Sequence, residues 1–472
     1  MADNSPRISF SKKYIDGEMF YATWGIVAKG LGFVNSLIIL SSLSLYQYGV
    51  FQLLLSAYGF FNAMSGIGLS VIGTDVLRAI GEGQESKAKR LYLELNGIRL
   101  FASFVFGVAF FFGSSALLFE YDAAFLEFFK ILAFLFISDT IIGFARKLME
   151  YRLDFGTVAR RSSTQKLFQL GILCYFLVFS EVGLREVLLS LVFSSYLSIF
   201  SLVSGIIRAY RPWVGLSMER GPVIRKIFRA HGKWAIVRQI IGQFFDRLQL
   251  WLIKHFISTE AVAIYSVADM MVGIIRKLFP TSTLLPLISL TINDKKKTRQ
   301  VLTYGTKYLV IVMSFFGIAA FVAVPPMIRL LYPRYSVSLP YFSALLLTLP
   351  VGAFSIIASD YLQALRKQKF LFYMEMIKIF LRIPLQLVLL PVFALWGMVL
   401  DRLLMTAVSM VVFIWYLLRH KDDIPIGWGN LITFNGDDRK FLKTIASRVG
   451  GVIQKRMIPK FLRRKLSSEQ YS

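Results

Sequence analysis

The chain has 472 residues, of which 56% are hydrophobic and only 17% are charged. Soluble domains are about 45–50% apolar and about 25% charged, so this composition excludes an ordinary soluble protein and predicts a membrane protein. The formal net charge of +26 is compatible with nucleic acid as a partner until the distribution of the charges is considered.

Apolar runs predict twelve transmembrane helices, because about 20 apolar residues are needed to cross a bilayer core about 30 Å thick. The predicted fold class is therefore an all-α polytopic membrane protein. The first six spans are expected at 21–44, 46–73, 97–119, 124–147, 164–182 and 186–208. The second six are expected at 234–257, 261–290, 304–330, 340–365, 371–393 and 396–418.

The basic residues alternate with these spans. With the N-terminus placed inside, 42 of the 54 Lys and Arg residues fall in the predicted inner segments. The outer turns hold only Lys130, Arg185, Lys254, Arg329 and Arg334. This positive-inside bias predicts that both termini are cytoplasmic. Because the charge follows topology and does not cluster on one soluble face, nucleic acid is not expected as a partner.

The chain also shows signs of an internal repeat. The stretch LSLYQYGVFQLLLSAYG is similar in pattern to ISTEAVAIYSVADMMVG, 214 residues later, since in both a polar turn precedes a helix start with small and aromatic residues. Transporters with repeated halves commonly bind substrate between them. We therefore expect two pseudo-symmetric six-helix bundles around a central cavity. The predicted domains are an N-tail (1–20), an N-terminal bundle (21–208), a cytoplasmic linker (209–233), a C-terminal bundle (234–418) and a basic amphipathic tail (419–472).

The tail has an apolar helical face surrounded by basic residues, a pattern typical of helices that bind anionic lipids at a membrane surface. The face consists of Phe441, Ile445, Val449 and Val452. Anionic lipids are therefore expected as partners of the tail.

Signatures of several enzyme classes are missing from the sequence. It has no G-x-x-x-x-G-K-[ST] loop for nucleotide phosphates. His231, His255 and His420 do not have metal-ligand spacing with one another or with the single Cys174. No outer loop is long enough for a catalytic domain. We therefore predict no catalytic residue, metal or cofactor, and we do not expect an enzyme.

Charged residues inside the spans are the candidates for function, because an ionised group among apolar helices costs several kcal/mol unless it faces protein or water. Asp246 and Arg247 lie half-way along the seventh span, and Asp269, Arg276 and Lys277 lie inside the eighth.

Three other spans carry a charge far from both ends. These charges are Lys29 in the first span, Asp139 in the fourth and Arg382 in the eleventh. Asp401 and Arg402 begin the twelfth span and could reach the outer interface, so they carry less weight.

These charges have two interpretations. They form structural ion pairs between helices, for example Asp246 with Arg276, or they line a water-filled cavity. The cations outnumber the carboxylates, which favours an anionic substrate, and arginine suits phosphate. The predicted substrate-binding residues are Lys29, Arg247, Arg276, Lys277 and Arg382. The candidates for ion coupling or structural pairing are Asp139, Asp246 and Asp269.

The stretch FDRLQLWLIKHFISTEAVAIYSVADMMVGIIRKL resembles the seventh-to-eighth helix region of the polysaccharide (O-antigen type) flippases, in the multidrug/oligosaccharidyl-lipid/polysaccharide exporter superfamily. There a D-R pair precedes an apolar run, a short turn and a G-x-Y-x-x-A-like helix start. Here the pair is Asp246 and Arg247, and Tyr265 and Ala268 match the helix start, while Ala263 replaces the usual Gly. The stretches beginning LSLYQYGVFQ and LLYPRYSVSL also resemble this family.

The resemblance implies a flippase of the cytoplasmic membrane that moves a polyprenyl-pyrophosphate-linked oligosaccharide by alternating access, for O-antigen or exopolysaccharide synthesis. Its partners would be that lipid-linked oligosaccharide and other membrane proteins of polysaccharide assembly, and the chain is expected to be a monomer. Two alternatives are an ion-coupled drug antiporter of the same superfamily and a membrane glycosyltransferase or polysaccharide polymerase. The basic excess disfavours the first alternative, and the short outer loops disfavour the second.

Overall fold

A computed structural model describes residues 5–66, 76–77, 79–80, 82–113, 123–152, 154–217, 233–278, 295–365 and 367–419. Within these residues the chain is helical and has no β-strand, so the predicted all-α class is confirmed. The predicted C-terminal tail, apart from its first residue, and the larger part of the predicted linker lie outside the described residues.

The described residues form fourteen α-helices and two short 3-10 turns, at 211–213 and 333–338. The helices are α1 (Ser5–Ser42), α2 (Leu45–Ser65), α3 (Glu85–Gly113), α4 (Ala123–Tyr151), α5 (Phe155–Phe179), α6 (Leu184–Phe200), α7 (Val203–Tyr210), α8 (Lys233–Phe256), α9 (Thr259–Leu278), α10 (Lys295–Leu331), α11 (Leu339–Leu345), α12 (Thr348–Ala364), α13 (Gln368–Phe393) and α14 (Leu395–Arg419).

Within the described residues, six of the twelve predicted spans have the length and apolar composition needed to cross a membrane, and eight do if each of two bent helix pairs is counted as one span. Six are single helices, namely α1, α3, α4, α10, α13 and α14, and two are bent pairs. The bends are 44° between α6 and α7, and 50° between the segment Pro333–Leu345 and α12. The other four predicted spans coincide with α2, α5, α8 and α9, which lack so apolar a window within the described residues. Several of these helices carry the polar residues of the candidate site.

The chain divides into two compact units. The first contains Met1–Pro280, Phe316–Leu349 and Gln368–Ser409. The second contains Thr281–Phe315, Pro350–Lys367 and Met410–Ser472. In the second unit, Leu302 and Tyr361 are buried. Every contact described below lies within the first unit. Each unit combines separate segments of the chain, whereas the predicted bundles are the continuous ranges 21–208 and 234–418. The division into two six-helix bundles therefore stays a prediction.

Helix α2 begins at a capping box. The Gln47 amide donates to the Ser44 hydroxyl at 3.2 Å, and the Ser44 amide donates to the Gln47 side chain at 3.0 Å. These bonds satisfy backbone N–H groups that have no partner within the helix. One turn later, Gly49 packs against the start of α9, where an added Cβ would lie 2.0 Å from the Thr259 carbonyl oxygen. The two helices that predicted the repeat therefore meet at their first turns.

The segment after α10 closes over the same end of α2. Arg334 donates to the Leu43 carbonyl at 2.9 Å, and the buried Tyr335 hydroxyl donates to it at 3.2 Å. The Tyr335 ring lies edge-on to Tyr48, with centroids 5.8 Å apart. These contacts satisfy a terminal carbonyl of α1 and hold the α1–α2 turn against the 3-10 turn.

An ion pair and a buried tryptophan connect the first residue of α3 with the residue that follows α4. Arg152 forms two hydrogen bonds with Glu85, at 2.8 and 2.9 Å, and its guanidinium lies 5.0 Å from the Trp213 ring centroid. The indole N–H of Trp213 also donates to Glu85. Trp213 follows directly on α7 and belongs to the predicted linker, so packed structure continues past residue 208.

Replacing Gly49 with alanine tests the close approach of α2 and α9. The added methyl group would meet backbone, which cannot rotate away, so we expect Gly49→Ala to lower the free energy of unfolding by about 1–3 kcal/mol. Gly97→Ala is the matched control, because a Cβ there has open space around it and alanine favours helix. Thermal unfolding in detergent measures both variants. Equal melting temperatures for Gly49→Ala and the wild type would contradict the contact.

Candidate functional site

Helix α8 has a polar side and an apolar side, which follow from its 3.6-residue turn. The polar side carries Gln243, Asp246, Gln249 and Leu250, and the apolar side carries Phe244, Leu248 and Trp251. Arg247 lies at the boundary. Each side faces its own cavity, and Arg247 lines both of them.

The polar cavity lies between α2, α8 and α9 and has a volume of about 340 Å³. Its wall consists of Gln52, Gln243, Asp246, Arg247, Gln249, Leu250, Tyr265, Ser266, Asp269 and Met270. The hydroxyls of Tyr265 and Ser266 are buried and have no hydrogen-bond partner among the described residues. Because a buried polar group without a partner is costly, these two hydroxyls are candidates for hydrogen bonds with water or a ligand in the cavity.

Arg382 bonds two carboxylates, of which Asp246 lines this cavity. Its guanidinium donates to Asp401 at 3.1 Å, to Gln249 at 2.7 Å and to Asp246 at 3.3 Å. Asp401 is fully buried, and it also accepts a hydrogen bond from Gln386 at 2.7 Å. The turn at Ala394, whose φ of 48° is in the left-handed region, joins α13 to α14 and allows Asp401 to reach back to Arg382.

A second ion pair links α9 to α14. Arg402 lies 3.6 Å from Asp269. Arg276 interacts with both of these charges but has no carboxylate within 4.0 Å among the described residues. The example pair expected from the sequence, Asp246 with Arg276, is therefore wrong. Asp246 pairs with Arg382 because α13 lies against α8.

Arg247 has no such partner. Its guanidinium packs against Gly59 of α2, where an added Cβ would lie 2.8 Å from Cζ. The Ser56 hydroxyl donates to the Arg247 carbonyl at 3.0 Å and so ties the two helices together. In the described part of the chain, no carboxylate lies within 4.0 Å of Arg247. Among the described residues, the charge of Arg247 is therefore not neutralised by a carboxylate, and the residue borders both cavities.

The apolar cavity lies between α2, α3, α4 and α8 and has a volume of about 390 Å³. Its wall consists of Ser56, Ala57, Phe60, Phe61, Ala109, Phe110, Gly113, Phe129, Phe244, Arg247, Leu248 and Trp251. Arg247 is the one ionisable group in this wall, and five of the twelve side chains are phenylalanines.

The predicted cations Lys29 and Lys277 lie together, away from Arg247. The Lys29 ammonium donates to the Lys277 carbonyl near the C-terminal end of α9, where the helix dipole favours a positive charge. Lys166 of α5 interacts with the charges of Lys277 and Arg161, and α5 is bonded to α1 through Asn35, which donates to the Lys166 carbonyl at 3.0 Å. These four cations form a like-charge group.

Asp139 lies in a separate polar group. It accepts a hydrogen bond from the Tyr58 hydroxyl at 2.6 Å and one from the Asn62 amide at 3.4 Å. Arg99 and Arg161 interact with its charge. Asp139 therefore does not line the polar cavity with Asp246 and Asp269.

The sequence alone did not identify several of these residues. Arg99 and Lys166 lie at the inner ends of the predicted spans 97–119 and 164–182 and were counted with the inner segments, as was Arg161, although helix continues through all three positions. Asp401 carried little weight because it begins a span, yet it is buried. The polar wall residues Gln52 and Gln243 are uncharged, and the alternation of polar and apolar residues along α8 is the signal that could have found the second.

The described residues thus form a helical, multi-span membrane protein with a polar cavity between α2, α8 and α9. The family described as "Polysaccharide biosynthesis protein" matches residues 42–335, and the chain belongs to this family. This match confirms the predicted relation to a family of polysaccharide biosynthesis. No curated protein matches the chain.

Three solved structures illustrate the fold. The lipid II flippase MurJ, in an inward closed conformation, is 12% identical with a TM-score of 0.69, covering 88% of this chain and 89% of that one. An inward-facing multidrug resistance MATE family transporter of the MOP superfamily is 13% identical with a TM-score of 0.62, covering 84% and 98%. The Vibrio cholerae MATE transporter VcmN is 13% identical with a TM-score of 0.60, covering 87% and 98%. These proteins are transporters and a flippase.

A double-mutant cycle tests the bond between Arg382 and Asp401. Arg382→Gln leaves the Asp401 carboxylate buried without a counter-charge, so we expect it to destabilise the protein more than Arg382→Gln combined with Asp401→Asn. The coupling energy should be about 0.5–3 kcal/mol. Thermal unfolding of the four proteins in detergent gives this energy. Strictly additive effects would show that the pair does not interact.

Proposed function

We propose that this protein flips a lipid-linked oligosaccharide across the cytoplasmic membrane by alternating access, for cell-surface polysaccharide biosynthesis. The observation that carries the proposal is Arg247, which has no carboxylate partner among the described residues and borders both a polar and an apolar cavity. An amphiphile with an anionic group between its polar and its apolar part fits this arrangement, because the anionic group would lie at Arg247, the polar part in the polar cavity and the apolar part in the apolar cavity.

The uncharged part of the polar wall supports sugar as the polar group. Three glutamine side chains each offer donors and an acceptor, and the hydroxyls of Tyr265 and Ser266 are unbonded within the described residues. Sugar hydroxyls both donate and accept, so they can bond with all of these groups. The glutamines are Gln52, Gln243 and Gln249.

The cations support a phosphate-bearing ligand. In the described chain, Arg247, Arg276, Lys29 and Lys277 have no ion pair, and unpaired cations bind phosphate oxygens through charge-assisted hydrogen bonds. Arg382, the fifth predicted binding residue, bonds two carboxylates and Gln249 instead. We assign it to positioning Asp246 at the cavity, and the other four to the ligand.

Ion coupling is part of the proposal. The side chain of Asp246 is 62% exposed and that of Asp269 is 41% exposed, so both can exchange a proton or a cation with water in the cavity. Asp139 is a third candidate in its own polar group. The protein would act as a monomer with both termini cytoplasmic and without catalytic residues, together with other membrane proteins of polysaccharide assembly.

One observation favours a second candidate, the ion-coupled drug antiporter. The charged groups in the wall of the polar cavity are two carboxylates and one guanidinium. A cationic drug would pair with Asp246 and Asp269. Export of a cationic dye and export of polysaccharide by cells that lack the gene, with and without the plasmid-borne protein, separate the two candidates.

Replacing Arg247 tests the flippase. We expect Arg247→Ala to lower polysaccharide export by about tenfold or more, because a charge-assisted hydrogen bond contributes about 1.5–3 kcal/mol. Arg247→Lys keeps the charge and should retain part of the export. The matched control is Arg185→Ala, which removes an exposed arginine paired with Glu127 at 3.4 Å and should leave export unchanged. Export is measured at equal protein level in the membrane, and wild-type export by Arg247→Ala would refute the assignment.

A further inference from the structure

The apolar cavity between α2, α3, α4 and α8 has walls that support one another. Phe60 lies 5.6 Å from Phe244 and Phe110 lies 4.7 Å from Phe129, measured between ring centroids. Phe61 bridges the two pairs, at 5.4 Å from Phe60 and 5.8 Å from Phe110. Rings in such edge-on and tilted contacts stabilise each other. The space is therefore bounded by an aromatic network that joins helices α2, α3, α4 and α8.

Water has few partners in this cavity. Among the described residues of the wall, the polar side-chain groups are the Arg247 guanidinium, the indole N–H of Trp251 and the Ser56 hydroxyl, which bonds the Arg247 carbonyl. A bound water needs two to four polar partners, whereas apolar cavities stay dry and bind hydrocarbon. The chemistry of the wall therefore selects an alkyl or isoprenoid group.

The position of Arg247 favours a hydrocarbon chain that is attached to an anionic group. On α8, Phe244, Leu248 and Trp251 face the apolar cavity, and the adjoining side faces the polar cavity through Asp246. A ligand bound by the Arg247 guanidinium through an anionic group thus has an apolar cavity on one side and a hydrogen-bonding cavity on the other. A chain that begins at that anionic group enters the apolar cavity directly.

We propose that the apolar cavity binds the first isoprene units of the polyprenyl chain of the substrate, next to the phosphate held by Arg247. This inference rests on the proposed function and extends it, since it assigns the chain to a site inside the helix bundle. The aromatic wall then binds the lipid carrier, while the polar cavity binds the glycan. The protein would accordingly distinguish a polyprenyl phosphate from a short-chain phosphate with the same head group.

Filling the cavity tests the proposal. Ala109→Phe adds a ring inside the wall on α3, and Ala57→Phe adds one on α2. Val108→Phe is the matched control, because Val108 is exposed and is not part of the wall. The probes are a long-chain polyprenyl phosphate, isopentenyl phosphate and inorganic pyrophosphate, titrated onto the full chain in nanodiscs. Thermal unfolding identifies any variant that has lost its fold.

We expect each cavity-filling variant to bind the polyprenyl phosphate about tenfold or more weakly, as expected if about two methylene groups lose their contacts. Binding of pyrophosphate should be unchanged, and Val108→Phe should match the wild type with all three probes. In the wild type, the polyprenyl phosphate should bind more tightly than isopentenyl phosphate.

Three outcomes overturn the inference. If folded Ala109→Phe and Ala57→Phe bind the polyprenyl phosphate as the wild type does, the chain lies elsewhere and the proposed function stands. If a photoreactive polyprenyl phosphate labels no residue of this wall, or a phospholipid probe with a photoreactive acyl chain labels it equally well, the cavity is not selective for the carrier. If the wild type binds no polyprenyl phosphate at all, the proposed function fails as well.

Discussion

The bond between Arg382 and the buried Asp401 is the interaction on which the site depends. Neither group can be buried alone among apolar helices, because its desolvation would cost more than the fold could offset. Together, and with Gln386 as a further donor, they bring α13 and α14 to the cavity. The remaining N–H groups of Arg382 then reach Gln249 and Asp246 of α8. One compensated charge therefore positions a carboxylate and an amide at the polar cavity.

Other charges near the site have no ion pair within the described residues. Arg247 packs on Gly59, the only residue type that leaves room for its guanidinium there, and it has no carboxylate partner within the described chain. In the group that contains Lys29, Lys166 and Lys277, the Lys29 ammonium donates to a backbone carbonyl and the Lys166 ammonium donates to the side-chain amide oxygen of Gln169. Since like charges repel, such a group is stabilised when an anion binds.

The sequence predicted the helical class, the span positions and the family because each depends on local pattern. Apolar run length follows from bilayer thickness, and the D-R pair with the turn and helix start after it is a continuous stretch around Asp246 and Tyr265. The charged residues were found by the same local rule, a charge inside an apolar run. Arg161 and Lys166 were missed because they lie in the first half of α5, Arg161 before the predicted span and Lys166 at its inner end, where both were counted with the inner segment.

The sequence by itself determined that this is a polytopic helical protein of a polysaccharide-related family with charges among its spans. Only the tertiary structure decided which charges compensate each other. Asp246 and Arg276 lie in consecutive predicted spans, which suggested them as a pair. In the structure Asp246 pairs instead with Arg382, more than a hundred residues away. Pairing of this kind depends on which helix faces are in contact. The periodicity of the sequence identifies a polar or an apolar face of a helix, but it does not identify the helix against which that face packs. For the same reason, the two cavities that Arg247 joins exist only once α2, α3, α4 and α9 have packed around α8.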